Sequence, residues 1–363
     1  MPPKLPILIS SAVASILLAH FAPGYGSRTQ TFFLVAFTEF IAWATWRVTL
    51  AEVLSSKNYE FIKPAHFLDI IGRILGIGLL FAEGDEHRTQ RKNLMPAFSY
   101  RHIKDLYPVF WSKSKEMVER MSDAMHEGSE TGNTSKESIP EGTKSSNVVE
   151  VSDWTSRATL DIIGVAGMGR DFEALKNPDN ELNQTYKTIF HPPKSARYLQ
   201  VAGMFLPRWF LKSLPIKRND EISEGSALIK QTCRDLIAAK KIRMEKGAAD
   251  ETDILSVALR SGSFADENLV SQMMTFLTLV DRRHLQQNGG AESNYSFLTF
   301  LHGPRSCIGQ GFANAEFACL LAAWIGKFDT EFEDPEYVLE VKSGITSRPK
   351  NGLRVKLTEV EGW

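Results

Sequence analysis

Apolar residues recur at helical spacing along the middle of the chain and predict a mainly α-helical fold. Met117, Met121 and Met125 follow one another at i, i+4 spacing, which predicts a long helix over residues 100–125. Residues 154–168 are apolar almost throughout, as is typical of a buried helix. Another long helix is indicated by a single apolar stripe, in which Cys233 is expected to be a core residue: Ile222, Ile229, Cys233, Leu236 and Ile237.

The pattern changes abruptly near residue 280. Ser263 and Asp266 have a spacing similar to a capping box and predict the start of a helix. This helix becomes apolar on all sides over residues 269–280, which predicts a central, buried position. It then runs directly into the charged and glycine-rich residues 281–290. The sequence is therefore locally inconsistent at this point.

Two other regions depart from the helical pattern. Residues 127–149 are rich in Ser, Thr, Gly, Glu and Lys and contain few apolar residues, which predicts a flexible loop. Residues 337–342 and 353–358 are predicted to form short strands, and residues 349–352 between them have the composition of a turn. We therefore expect a mainly helical domain with small β hairpins over residues 51–363.

The N-terminal region contains a long uncharged stretch. Residues 5–27 include no Asp, Glu, Lys or Arg, and about 20 helical residues are enough to span the hydrocarbon core of a bilayer. A shorter apolar stretch, residues 31–46, contains Glu39 and ends near tryptophans, as interfacial segments do. We predict that residues 1–50 form a membrane anchor region. A cleaved secretory signal and a buried core helix are the alternative interpretations.

Composition and charge narrow the class of protein. Lys and Arg number 42 against 43 Asp and Glu, and this balance excludes a broad basic surface for nucleic acid. The three cysteines are too few for a disulfide scaffold and favour a reducing compartment. The sequence has no glycine-rich phosphate loop, nucleophile elbow or metal-spaced Cys/His cluster, which removes NTPase, hydrolase and zinc-protein interpretations.

The chemistry is concentrated in the segment FLHGPRSCIG, residues 300–309. The thiolate of Cys307 could be the axial ligand of a haem iron if its loop is protected and directs N–H donors at the sulfur. Phe300 could shield that sulfur, and Arg305 is a fork-shaped donor suited to a haem propionate. Gly303 and Gly309 would let the backbone approach a porphyrin. The helical pattern after residue 309 would bring a helix N-terminus near the anion. A buried free cysteine beside a turn is the alternative.

This segment matches the signature F-x-x-G-x-R-x-C-x-G of the cytochrome P450 monooxygenases at every fixed position. The sequence that follows, QGFANAEFACLLA, resembles the proximal helix of that family. The resemblance implies a cytochrome P450-like helical fold in which Cys307 is the fifth ligand of a haem iron. It implies a haem-thiolate monooxygenase that inserts one oxygen atom from O2 into a small apolar organic substrate. Electrons would come from NADPH through a cytochrome P450 reductase.

Other segments extend the resemblance over most of the chain. EGDEHRTQRKNLMPAFS resembles the C helix of the family, in which the residues at the positions of His87 and Arg91 contact a haem propionate. A solvated basic helix face is the alternative for this pair, because Arg88 and Lys92 are their neighbours. The apolar N-terminus resembles a microsomal anchor. It implies contact with membrane lipid and a body that faces the cytosol from the endoplasmic reticulum.

The sequence also departs from the family pattern. The helix that ends near residue 280 lacks the Gly-acid-Thr-Thr stretch with which the family's long I helix passes over the haem. No Arg has a Glu three positions before it, so the family's E-x-x-R pair is missing. We therefore expect an internal deletion near residues 280–283 and an incomplete fold. A catalytically dead haem-binding relative and a non-functional truncated gene product are the alternatives to an active monooxygenase.

Overall fold

The chain divides into two compact units. The computed structural model describes residues 50–64, 72, 75–130, 147–180, 184–185, 217–246, 252–279, 299–343 and 347–362. The smaller unit contains residues 50–62 and 299–307, and the larger unit contains the other described residues.

The larger unit is mainly helical. A 3-10 turn, Met95–Phe98, connects its first two helices, and a π-helical turn, Ile163–Gly167, extends the third. The helices, in chain order, are α1 (Gly84–Leu94), α2 (Tyr100–Glu130), α3 (Val151–Ile162), α4 (Lys217–Glu245), α5 (Ile254–Arg260), α6 (Asp266–Leu279) and α7 (Gln310–Lys327).

Small antiparallel sheets complete the described part of the larger unit. A two-stranded sheet pairs β3 with β4, and a three-stranded sheet has the order β1-β5-β2, with β5 in the centre. The strands are β1 (Val148–Glu150), β2 (Phe328–Phe332), β3 (Val341–Ser343), β4 (Ser347–Pro349) and β5 (Arg354–Glu359).

Strand β5 carries the apolar face of the three-stranded sheet. Val355 lies opposite Val149 of β1, and Leu357 lies opposite Thr330 of β2. The side chains of Val355 and Leu357 are buried, while those between and beside them are exposed. This alternation places one face of the sheet on the core.

The core of the larger unit includes the contact between α2 and α7. Phe110 of α2 and Phe312 of α7 are both buried, and their ring centroids lie 4.8 Å apart in an edge-to-face arrangement. Met117 and Met121 are fully buried in the same core. The methionine spacing therefore predicted the buried face of α2 correctly.

Two buried carboxylates connect neighbouring elements. Asp253 caps α5 and forms an ion pair of 2.5 Å with the buried Lys240 of α4. Asp161 of α3 accepts hydrogen bonds from the N–H groups of Ala174 and Leu175, at 2.8 and 2.9 Å. Burial raises the pKa of Asp161 to about 6, although these two hydrogen bonds act in the opposite direction.

The helices predicted from periodicity are confirmed. Residues 100–125 lie in α2, residues 154–168 lie in α3 and its π-helical extension, and the apolar stripe lies in α4. The predicted cap at Ser263 is wrong, because its hydroxyl donates to the carbonyl of Ser261 at 3.0 Å. The first backbone hydrogen bonds of α6 are instead accepted by Ala265.

The strand predicted at residues 353–358 is confirmed, and the one predicted at 337–342 is wrong over most of its length. Tyr337 lies in a turn, in which its N–H donates to the carbonyl of Asp334 at 3.0 Å. Its hydroxyl donates to the carbonyl of Gly352 at 2.8 Å. The strand in this region begins at Val341 and pairs with β4, not with β5.

Several predicted features lie wholly or partly outside the described residues. Helix α2 continues to Glu130 and β1 begins at Val148, so both ends of the loop predicted at 127–149 belong to regular elements. Residues 131–146, the first 49 residues of the predicted anchor region and the predicted deletion site at 280–283 lie outside the described residues. Among the helices that the structure describes, none is both long and apolar enough to cross a membrane.

Candidate functional site

Cys307 lies at the end of a short loop in the smaller unit. Its backbone N–H donates to the carbonyl of Phe300 at 2.7 Å, which closes the loop across its two ends. Within the loop, Gly303–Arg305 forms one 3-10 turn, and the N–H of Ser306 donates to the carbonyl of Gly303 at 2.9 Å. The position of the cysteine is therefore fixed by backbone hydrogen bonds.

Two residues of this loop have left-handed backbone conformations. Leu301 has a φ of 56° and Gly303 has a φ of 80°; the first is uncommon for a residue with a side chain. A Cβ atom at Gly303 would overlap the carbonyl oxygen of Leu54, in the π-helical turn Glu52–Ser56. The sequence prediction assigned this glycine to the approach of a porphyrin. In the structure, the backbone of residues 54–55 provides an independent reason for a glycine at this position.

Arg305 is anchored by an aromatic ring of the same unit. Its guanidinium carbon lies 5.1 Å from the ring centroid of Tyr59, within the range of a cation–π interaction. The side chain of Arg305 is half-buried. Tyr59 was not predicted as a site residue, because a single tyrosine in residues 51–64 has no motif around it.

The three cysteines occupy different environments. Cys233 is 1% exposed, and burial raises the pKa of its thiol to about 12. Cys319 of α7 is buried too. Its pKa is raised mainly by burial and further by the nearby carboxylate of Glu316. Cys307 is half-buried and lies outside the hydrophobic core. Because a thiolate is the form that binds a metal, the environment favours Cys307 over the other two as an iron ligand.

His87 and Arg91 lie on α1 in the larger unit. His87 is only 3% exposed, and Arg91 is half-buried, whereas Arg88 and Lys92 are exposed. The alternative of a solvated basic face therefore describes Arg88 and Lys92 and does not describe His87. The contact of His87 and Arg91 with a propionate remains a prediction.

Gly309 is the N-cap residue of α7. Its carbonyl accepts the N–H of Ala313 at 2.9 Å, and its φ of −86° is open to any residue. The helix predicted after Gly309 is confirmed as α7. The structure thus brings Phe300, Gly303, Arg305 and Cys307 together in one loop of the smaller unit, and it places Gly309, His87 and Arg91 in the larger unit.

A mainly helical fold with small antiparallel sheets, together with a cysteine loop of this sequence, agrees with the predicted resemblance to the cytochrome P450 proteins. Residues 48–278 and 282–355 match the family model for cytochrome P450. The chain belongs to the cytochrome P450 family.

Fungal enzymes and a solved structure are similar to the chain. The cytochrome P450 monooxygenase sphH of Aspergillus fumigatus is 36% identical, over 86% of this chain and 78% of that protein. The cytochrome P450 monooxygenase ALT8 of Alternaria alternata is 30% identical, over 86% of this chain and 80% of that protein. A crystal structure of the cytochrome P450 CYP102L1 has a TM-score of 0.60 at 15% identity, over 82% of this chain and 87% of that one. The last similarity confirms the predicted fold class.

The match to the family model is interrupted near the predicted deletion site. The two segments that match the family model are separated by residues 279–281. The alignment with sphH extends over 437 positions and covers 86% of this 363-residue chain, so about 125 of its positions have no residue in this chain.

Proposed function

We propose that the chain is a haem-thiolate monooxygenase-type oxidoreductase in which Cys307 binds the iron. The observation that carries the proposal is the environment of Cys307. Cys307 is half-buried, whereas the other two cysteines are buried. Its backbone N–H closes the loop by donating to the carbonyl of Phe300 at 2.7 Å. The loop also has the complete family signature. Cys233 and Cys319, by contrast, lie in the core with raised pKa values.

The residues of the loop fit a haem. Arg305 supplies a guanidinium that is always charged and suits a propionate carboxylate, and Tyr59 restricts its orientation. Phe300 would shield the cysteine sulfur, and Gly309 would leave room beside it. His87 and Arg91 would provide further propionate contacts. When bound, the haem would activate O2 for insertion of one oxygen atom into a small apolar organic substrate, with electrons from NADPH through a cytochrome P450 reductase.

We propose in addition that the chain lacks an internal segment near residues 280–283. The interruption of the family match and the missing E-x-x-R pair both support this. The same two observations favour a second candidate function, a haem-binding relative without turnover or a truncated gene product. Such a chain would keep the cysteine loop and lack the acid and alcohol side chains that the family's I helix supplies for moving protons.

The cysteine assignment is tested by the carbon monoxide spectrum of the reduced full chain. The variant Cys307→Ser should lose the red-shifted Soret band that a thiolate-bound haem gives. The matched variant Cys319→Ser should keep this band, because Cys319 lies in the core of the larger unit. A red-shifted band in Cys307→Ser would overturn the assignment.

The proposed location is the endoplasmic reticulum membrane, with residues 1–50 as the anchor in lipid and the body facing the cytosol. The charge-free residues 5–27 support it.

Removal of residues 1–49 should move the chain from the membrane pellet to the soluble fraction after cell lysis. A chain without residues 131–146 is the control and should stay in the pellet. Full retention of the chain that lacks residues 1–49 would contradict the anchor.

A further inference from the structure

Two buried glutamines connect α1 to α6 in the larger unit. The Nε2 group of Gln272 in α6 donates to Oε1 of Gln90 in α1 at 2.8 Å. The Oε1 atom of Gln272 accepts the backbone N–H of Leu79 at 2.9 Å, and Nε2 of Gln90 donates to Oε1 of Glu86 at 3.0 Å. Gln272 is 1% exposed and Gln90 is 4% exposed. Each amide therefore uses both its oxygen and its nitrogen inside the protein.

The loop that precedes α1 lies directly on α6. A Cβ atom at Gly78 would be 2.5 Å from Oγ1 of Thr275 and 2.6 Å from the carbonyl oxygen of Ser271. A Cβ atom at Gly76, whose φ is 75°, would overlap the side chain of Ser271. Ser271 and Thr275 flank Gln272 on α6, so this part of the helix holds both the loop and the hydrogen bond to α1.

Gln90 and His87 share one face of α1. They are three positions apart and both are buried, whereas Arg91 follows at the edge of that face and is half-buried. A hydrogen bond to the side chain of Gln90 therefore restricts the rotation of α1 about its own axis. That rotation determines the direction in which His87 and Arg91 project.

We propose that Gln272 is a positioning residue that fixes the rotation of α1 through Gln90, and with it the placement of His87 and Arg91 toward the haem propionates. The inference rests on the proposed function for its consequence, haem affinity. Removal of the Gln272 amide leaves the Leu79 N–H and the Gln90 oxygen without their partners in a buried site, and unpaired buried polar groups are unfavourable. The larger unit should respond by local opening of residues 76–94.

Hydrogen–deuterium exchange of the haem-free full chain tests the positioning step. In Gln272→Leu, we expect the amides of Leu79 and of α1 to exchange about tenfold faster, while those of α2 and α7 keep their rates. In Gln90→Leu, the amides of α1 should exchange faster and that of Leu79 should not, because its bond to Gln272 remains. The double variant should match Gln272→Leu. The control is Gln231→Leu on the exposed face of α4, which should leave α1 unchanged.

Three outcomes would overturn the proposal: unchanged exchange of α1 in both single variants, a uniform increase over α2 and α7, or a double variant in which the two effects add. If Gln272→Leu does not fold, Gln90→Leu alone decides, since it leaves the loop contact of α6 intact.

Haemin titration of the same variants, followed by the Soret absorbance, tests the consequence. Gln272→Leu and Gln90→Leu should each bind haemin several-fold more weakly than the unmodified chain, and the double variant no more weakly than Gln272→Leu. If the amides of α1 exchange faster in these variants but the haemin affinity is unchanged, the placement of His87 and Arg91 toward the haem is overturned. If the unmodified chain binds no haemin, the proposed function fails, and the exchange experiment still decides whether Gln272 positions α1.

Discussion

Asp161 is a fully buried carboxyl group whose two oxygens accept backbone N–H groups of the loop after α3. Burial raises its pKa to about 6, above the ordinary value of 3.8. Between about pH 4 and 6, the carboxyl group of Asp161 is therefore protonated in the native chain and ionised in the unfolded chain. The contribution of Asp161 to the free energy of unfolding is present below about pH 4 and is lost as the pH rises through about 6.

We expect Asp161→Asn to remove this loss of stability between about pH 4 and 6. Below about pH 4, where Asp161 is protonated in the native and the unfolded chain, the new NH2 group would face one of the two N–H donors and lower the free energy of unfolding by about 1–3 kcal/mol. At neutral pH, the removal of the buried charge acts in the opposite direction. Urea unfolding at several pH values measures both effects. The control is Asp179→Asn in the same loop, where the aspartate is exposed. An unchanged pH slope in Asp161→Asn would contradict the assignment of the slope to this residue.

Residues differ in how well their roles can be predicted from sequence. Cys307 could be predicted because several residue types occur around it at fixed spacing. Gln90 and Gln272 could not, since their contact joins positions 182 residues apart and a single amide within a helix leaves no periodic signal. Ser263 was assigned to a helix cap from its type and spacing, and the turn at Ser261 uses its hydroxyl instead.

At the scale of elements, the central strand β5 contributes most to the three-stranded sheet. Leu357 is fully buried and lies between neighbours on both sides of the strand. Leu357→Ala should lower the free energy of unfolding by about 2–5 kcal/mol, because it removes buried methyl groups and leaves a cavity. Thr358→Ala, on the exposed face of the same strand, should change it by less than about 0.5 kcal/mol. Equal effects of the two substitutions in urea unfolding would contradict the observed face of β5.

Helices were predicted more reliably than strands for a physical reason. The buried face of α2 is set by residues three and four positions apart, so the local sequence contains the signal. A strand depends on a partner that can be far away, and β3 pairs with β4 although the turn composition at residues 349–352 favoured a pair with β5. The N–H of Tyr337 donates instead to the carbonyl of Asp334, and the carbonyl of Glu340 accepts the N–H of Lys350 at 2.7 Å.

At the scale of the whole molecule, the interruption of the family match leads to a prediction about haem occupancy. The sphH residues that have no counterpart in this chain can be inserted between residues 278 and 282, where the match to the family model is interrupted. We expect the chain as it stands to bind less haem than the extended chain and to show less NADPH-dependent oxygenation. A lost buried side chain removes about 1.5–3 kcal/mol from a total stability of only about 5–15 kcal/mol.

Haem per chain and product formation with a reductase measure this difference. An insertion of equal length made of Gly and Ser residues is the control, and it should not raise the haem content. Equal haem occupancy and equal turnover in the unmodified and extended chains would contradict the internal deletion.

The pairing of β1 with β5 brings together two ends of a long chain segment, and the length of that segment affects the free energy of pairing only weakly. Val148 lies opposite Lys356, so the two strands close a chain loop that includes residues 279–281. The entropy of closing a flexible loop depends only on the logarithm of its length. About 125 further residues in that loop would therefore raise the closing free energy by less than about 0.5 kcal/mol. The sheet can form in short and long versions of the chain alike, and its formation reports nothing about which version is present.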